Sequence, residues 1–176
     1  MTDHAAMTTE QLGTFARASA GAVRPSRVRT LARVATAVFL LDVGTKVLAV
    51  GLLTPGHPMP LLGDAVTCAL TRNAGAALSV AAGYTAALTL IVSGIAIAIA
   101  WMGRRLTSPW QALGFGLVLG GAGGNLVDRV FRAPGPLRGH VVDFLSVGRL
   151  PVFNIADAAV MTGAACLIAV VLFRTE

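Results

Sequence analysis

Four apolar stretches, each close to twenty residues long, decide what this chain can fold into. They run over about 34–53, 82–102, 110–130 and 153–173. The second carries no charge and ends at Arg104 and Arg105, the third is uncharged until Asp128, and the fourth is uncharged after Asp157. About 20 residues at ~1.5 Å each cross ~30 Å of hydrocarbon. Lipid offers no partner to backbone N–H and C=O groups, so a span is a helix or part of a closed barrel, and runs this long exclude a barrel.

Composition agrees. Of 176 residues 55% are hydrophobic and 12% charged, about half the ~25% charge of a soluble domain. The expected fold class is an all-α membrane protein: a four-transmembrane-helix bundle with a small extracytoplasmic β-like region and loop. Residues 1–30 read as a flexible cytoplasmic tail and 31–176 as the membrane domain. Arg17, Arg24, Arg27, Arg29 and Arg33 precede the first run like the n-region of a signal peptide. That run contains Asp42 and Lys46 and no cleavage site of small residues follows, so a retained signal-anchor helix is expected. The net charge is +6 and Lys46 is the only lysine. The arginines flank apolar runs instead of forming a stripe, which points to membrane orientation and away from a nucleic-acid partner. The tail, the 103–109 connection and Arg174 would share the cytoplasmic side, with both termini inside. Arg72, Arg129, Arg132, Arg138 and Arg149 fall on the other side. The two outer loops, 54–81 and 131–151, are long; the first has short β-like stretches such as Ala65–Leu70, and the second a β-branched Val141-Val142 pair. Loops of this size on one face usually build a site. Cys68, in a loop, and Cys166 lie far apart and read as small buried side chains, and neither His57 nor His140 has a companion at ligand spacing, so no metal or other cofactor is expected.

Four of the six aspartates, Asp42, Asp128, Asp143 and Asp157, lie in or beside membrane segments. A carboxylate at the bilayer centre costs roughly 2.5–3.5 kcal/mol. With both termini inside, all four sit toward the outer leaflet. Asp42 and Lys46 are spaced to pair on one helix face, a structural role. Asp128, with Arg129 beside it and Asn125 a turn earlier, reads as a clamp on a helix end. Asp143 and Asp157 have no basic residue placed by sequence to neutralise them, and Asn154 can only hydrogen-bond Asp157. Two such carboxylates at low dielectric share one proton, which makes one a base and the other an acid. An aspartyl hydrolase uses that chemistry, and so does a small proton-coupled transporter; a membrane binding protein with a degenerate pair is a third reading. Gly120, Gly121, Gly123 and Gly124 lie inside a membrane helix and read as a close-packing surface.

Five motifs bear on this choice. Asp42-Val43-Gly44-Thr45-Lys46 resembles the D-x-x-[ST]-K element of lipoprotein signal peptidases (signal peptidase II). Asn73-Ala74-Gly75-Ala76-Ala77 resembles their N-x-G-A-[AF] loop, and the run from Gly120 to Arg129 resembles their G-G-x-x-G-N-x-x-D-R stretch. Val141-Val142-Asp143-Phe144 and Phe153-Asn154-Ile155-Ala156-Asp157 resemble the two segments that carry the family's aspartates. All five occur in family order over about 34–173. Leu78 stands where an aromatic is common, and the Asp143–Asp157 connection is short. The resemblance implies an intramembrane aspartyl endopeptidase of the bacterial cytoplasmic membrane with Asp143 and Asp157 as its dyad. It implies that Asn73, Asn125 and Asn154 hold substrate or orient the carboxylates and that Arg129 binds substrate or anchors the site. Asp42, Lys46, Asp128 and Gly124 would support it. It also implies a diacylglyceryl-modified prolipoprotein substrate cut just before the lipidated Cys, contact with membrane lipid, and sensitivity to globomycin.

Overall fold

The computed structural model describes residues 25–63, 65–75 and 84–173. Most of the expected tail, Arg17, Arg24, Ala76, Ala77, Leu78, the start of the second apolar run at Ala82, and Arg174 lie outside the described residues. In chain order the elements are α1 (Pro25–Leu52), β1 (Met59–Leu62), β2 (Val66–Asn73), α2 (Thr85–Met102), a 3-10 turn (Gly103–Arg105), α3 (Pro109–Phe131), β3 (Val141–Val147) and α4 (Ile155–Leu172). The chain is thus a mostly helical membrane protein. Three helical segments, Ser26–Leu52, Thr85–Arg105 and Ile155–Leu172, are long and apolar enough to cross a bilayer.

Several expectations need correction. Helix α1 begins at Pro25, inside the stretch assigned to the tail. A proline at the first helical position sacrifices no backbone hydrogen bond, and arginine is a good helix former, so the helix extends beyond its lipid-facing part. The fold is also not purely α. The β-like stretch becomes part of β2, and the outer loops also supply β1 and β3, in a three-stranded antiparallel sheet of order β1-β2-β3. Cys68, expected in a loop, lies on β2 opposite Met59 and Leu145, and both cysteines are only partly buried.

Helix α3 is the hub, packing against α1, α4 and α2. Its start is fixed by a capping box: the Ser108 hydroxyl accepts from the Trp110 amide and the Gln111 side chain accepts from the Ser108 amide. Its six glycines and its charges at Asp128 and Arg129 lower its hydropathy, because it faces protein more than lipid. A Cβ at Gly120 would lie 2.6 Å from the Ala35 carbonyl oxygen on α1, and one at Gly121 would lie 2.5 Å from that of Ala156 on α4. Helix axes therefore approach through bare backbone, as small residues permit in membranes. Gly121→Ala is expected to lower the thermal midpoint in detergent markedly, by about 1–3 kcal/mol of overpacking. Gly44→Ala on the exposed side of α1 meets nothing within 4 Å and should be neutral or stabilising by up to ~1 kcal/mol. Equal melting of the two variants would contradict this packing.

The sheet, the C-terminal ends of α1 and α3 and the N-terminal ends of α2 and α4 gather at one end of the bundle. At the other end Leu31, Leu106 and Ala112 form a buried cluster with Phe115 and Leu119 packed on it.

Candidate active site

Strand β3 places Asp143, and the first turn of α4 places Asp157. Val141, Val142, Asp143 and Phe144 are all buried, Asp143 to 2% exposure. Across the sheet Asp143 is opposite Thr71, and Asn73 is opposite Val141. Asn73 is thus the diagonal neighbour of Asp143 on the same face, within reach of a polar side chain. Its Nδ2 donates to Asp143 Oδ2 at 3.2 Å.

Asn154 joins the two carboxylates. It is the N-cap of α4: its Oδ1 accepts from the Asp157 amide at 2.9 Å, and Asp157 Oδ2 accepts from the Asn154 amide at 3.4 Å. This reciprocal capping fixes the Asn154 amide so that Nδ2 turns to Asp143 Oδ1, at 2.6 Å. Asn125 on α3 completes the ring. Its Nδ2 donates to Asp157 Oδ1 at 2.9 Å, and its Oδ1 accepts from Asn154 at 3.3 Å and from Lys46 at 2.7 Å. Burial, with the Asp157 charge beside it, pushes the Asp143 carboxyl up to about 6, against the opposing hydrogen bonds from Asn73 and Asn154.

A fully buried ionic cluster underlies the ring. Lys46 Nζ lies 2.7 Å from Asp42 Oδ2 and 3.2 Å from Asp128 Oδ2. Asp42 Oδ1 accepts from the Ala156 amide at 2.8 Å, tying α1 to the N-terminus of α4. Asp128 Oδ2 accepts from the Val142 amide at 3.0 Å, and its Oδ1 pairs with Arg132. Gly124 leaves the space that the Asp42 carboxylate occupies; a Cβ there would overlap it.

Asp42, Lys46, Asn73, Asn125, Asp128, Asp143, Asn154 and Asp157 therefore form one connected network, with Gly124 packed against Asp42. The expected Asp42–Lys46 pair forms. Asp128 does clamp its helix end, through Lys46, Arg132 and Val142 in place of Arg129. Arg129 turns the other way: Nη2 donates to the Gly75 carbonyl at 2.6 Å, while Nη1, buried, has no hydrogen-bond partner among the described residues. Sequence reasoning passed over Arg132 as a partner of Asp128, although its i,i+4 spacing was a usable signal. It also passed over Thr89, whose buried hydroxyl donates to the Leu137 carbonyl at 2.8 Å and pins the loop before β3; nothing local marks that contact. Among the described residues no three His, Cys, Asp or Glu side chains gather as metal ligands would.

Known proteins resemble this chain in sequence and in fold. The lipoprotein signal peptidase of Mycobacterium avium (strain 104) is 62% identical over 149 residues, 85% of this chain and 82% of that one. That of Mycobacterium tuberculosis (strain ATCC 25618 / H37Rv) is 62% identical over 149 residues, 85% of this chain and 74% of its own. A solved bacterial membrane enzyme superposes with a TM-score of 0.75 at 26% identity, covering 84% of this chain and 90% of its own. The family pattern of Peptidase_A8, signal peptidase (SPase) II, matches residues 34–173. The chain belongs to the signal peptidase II family, Peptidase_A8.

Proposed function

We propose that this protein removes the signal peptide from diacylglyceryl-modified bacterial prolipoproteins, cutting just before the lipidated Cys with water activated by Asp143 and Asp157. The observation that carries the reading is the joining of these two carboxylates through the Asn154 side chain and backbone, with amide donors on each. Family membership supplies the substrate class.

The pair holds one proton. The charged aspartate draws a proton from water as the oxygen attacks the scissile carbonyl carbon. The protonated one gives its proton to the carbonyl oxygen, so no oxyanion is left unneutralised. Collapse of the tetrahedral adduct breaks the C–N bond, returns one proton to the pair and passes one to the leaving nitrogen. Arg129 Nη1 offers a donor to a substrate backbone carbonyl. No covalent intermediate is required.

The four helices cross the membrane, α3 as the fourth span: its 23 residues reach about 34 Å, and its polar content is covered by its neighbours. Arg27, Arg29 and Arg33 of α1 and the Arg104–Arg105 turn lie at the bundle end away from the dyad, where Arg105 also stacks over Trp101 at 4.8 Å. Such arginines mark the cytoplasmic boundary, so the start of α1 and the end of α4 face the cytoplasm and the dyad opens toward the extracytoplasmic face. There the lipidated Cys of a substrate rests at the membrane–water boundary.

The direct test is cleavage of a diacylglyceryl-modified prolipoprotein by the purified protein in detergent, with the cut located by mass spectrometry. Cleavage before the lipidated Cys, blocked by globomycin and absent on unlipidated precursor, is expected. An inert protein that drives proton-dependent flux in liposomes would replace this reading with a transporter. The pH dependence is a further prediction. Asp143 loses its proton near 6, so kcat/KM, which reports the free enzyme, should fall about tenfold per pH unit above that point. Bound substrate excludes water and raises the value further, so kcat should hold to higher pH. A kcat/KM that is flat from pH 5 to 8 would contradict the assignment.

A further inference from the structure

The ionic cluster is balanced without Asn125. Lys46 and Arg132 face Asp42 and Asp128, two charges of each sign. Yet the Lys46 ammonium, with three N–H donors, gives one of them to Asn125 Oδ1 at 2.7 Å, a bond as short as its contact with Asp42. An ammonium only donates, so it can face only the oxygen end of that amide. The orientation is therefore chemically forced. With Oδ1 held, Nδ2 must point the other way, and it lies 2.9 Å from Asp157 Oδ1.

The two aspartates differ in other respects as well. Asp157 is partly exposed, so water reaches it, and its oxygens accept from Asn125 Nδ2 and from the Asn154 amide. Asp143 sits almost wholly buried on a strand. The charges around the pair are Lys46 and Asp42 from α1 and Asp128, Arg129 and Arg132 from α3. The Lys46 charge also acts on Asp143, but burial outweighs it there.

Resting on the proteolytic reading above, we propose that Lys46 is a positioning residue of the hydrolytic site: by fixing the Asn125 amide with Nδ2 toward Asp157, it keeps Asp157 the charged base and Asp143 the protonated acid. Without Lys46, Asn125 Oδ1 keeps only the longer 3.3 Å contact from Asn154, a weaker hold against rotation of the oxygen toward Asp157, where it would repel the charge.

The test is a mutant cycle. The charge-balanced pair Asp42→Asn/Lys46→Met removes the anchor, Asn125→Ala removes the amide, and the triple variant removes both. Each of the first two should lower kcat about tenfold or more, the value of one hydrogen bond to a charged group. Each should leave KM within about twofold. Losing a donor to the charged pair favours its protonation, so the acidic limb of the kcat profile should move to higher pH. The triple variant should be no slower than Asn125→Ala alone, because both lesions break one relay. Effects that multiply in the triple variant, or an unmoved acidic limb in folded variants, would reduce Lys46 to a structural ion-pair partner. Where the balanced pair does not fold, Asn125→Ala decides alone, since Asn125 is only half-buried: an unmoved limb overturns the proposal. Failure here is separable from failure of the function. A wild-type protein inert on lipidated precursor sinks the proteolytic reading, whereas an active one with multiplying effects sinks only the relay.

Discussion

Asp143→Asn and Asp157→Asn are each expected to reduce cleavage of lipidated precursor by about a thousandfold or more while leaving the protein folded. A positioned general acid or base contributes typically 10²–10⁴ in rate, and each aspartate transfers a proton twice, one way as the adduct forms and the other way as it collapses. The two act as a unit, so the double variant should be no slower than either single one. Asparagine keeps the shape of the carboxylate and one acceptor oxygen. At Asp143 the retained oxygen can face Asn154, the closer donor at 2.6 Å, leaving the mismatch to the 3.2 Å contact with Asn73. At Asp157 it can face Asn125 at 2.9 Å and put the amide on the 3.4 Å side. Stability supplies an independent check on the sign. The native protein holds the Asp143 proton more tightly than the unfolded chain, with a carboxyl near 6 against an ordinary 3.8. Its contribution is thus fully present below about 3.8 and is lost as pH rises to about 6. Asp143→Asn has no such charge to bury, so at pH 7 it should melt no lower than wild type, and higher if the mismatch is small. Time courses on lipidated precursor, with thermal melts of the same samples at pH 4 and 7, measure both effects. Cleavage by either variant within tenfold of wild type would remove that residue from the chemistry.

The helices were legible in the sequence because lipid imposes a length and a hydropathy that nothing local can disguise. The start of α1 was not, because the segment ahead of Val34 is rich in Arg, Ser and Thr and carries no apolar period. Strand β3 was read as a loop with a β-branched pair. Asp143 breaks its apolar run, and a strand buried on both faces shows no alternation to find. The Asp42–Lys46 pair was legible for a local reason, its i,i+4 spacing. The contacts that make the site were not local. Asn73 reaches Asp143 only because β2 slips in register between Cys68 and Thr71, and Asp42 caps α4 only because the α3 glycines let both helices close on one hub. The resemblance named the residues. The structure adds that they form one connected hydrogen-bond ring standing on a neutral ionic cluster, and this arrangement explains why charges so costly in a membrane are kept together.

Asp128 carries the largest expected effect on stability. Its carboxylate is buried to 1% exposure and joins three elements: Lys46 of α1, Arg132 of its own helix, and the backbone of β3 through the Val142 amide at 3.0 Å. Asp128→Ala leaves a buried ammonium facing one carboxylate, an arginine without its partner and an orphaned amide. Breaking a buried pair from one side costs about 3–5 kcal/mol. At roughly 2–4 °C per kcal/mol for a chain of this size, the melt should fall by about 10 °C or more. Asp128→Asn should rescue little. Donors approach both oxygens, so the new NH₂ must oppose Arg132 on one side or Lys46 and Val142 on the other. Arg132→Gln tests which partner matters. Arg132 is partly exposed, but its loss leaves the buried Asp128 carboxylate sharing Lys46 with Asp42, so the variant should cost more than the ~0–1 kcal/mol of a surface pair. Activity should fall even well below the melt of the Asp128 variants, because Val142 adjoins Asp143 and its amide bond holds β3 at the depth where Asn154 reaches the carboxylate. Melts in detergent, with cleavage measured at least 15 °C below each midpoint, separate the two consequences. If Asp128→Ala melts within about 2 °C of wild type, the cluster does not hold the site together, and the position of β3 must be set by the sheet alone.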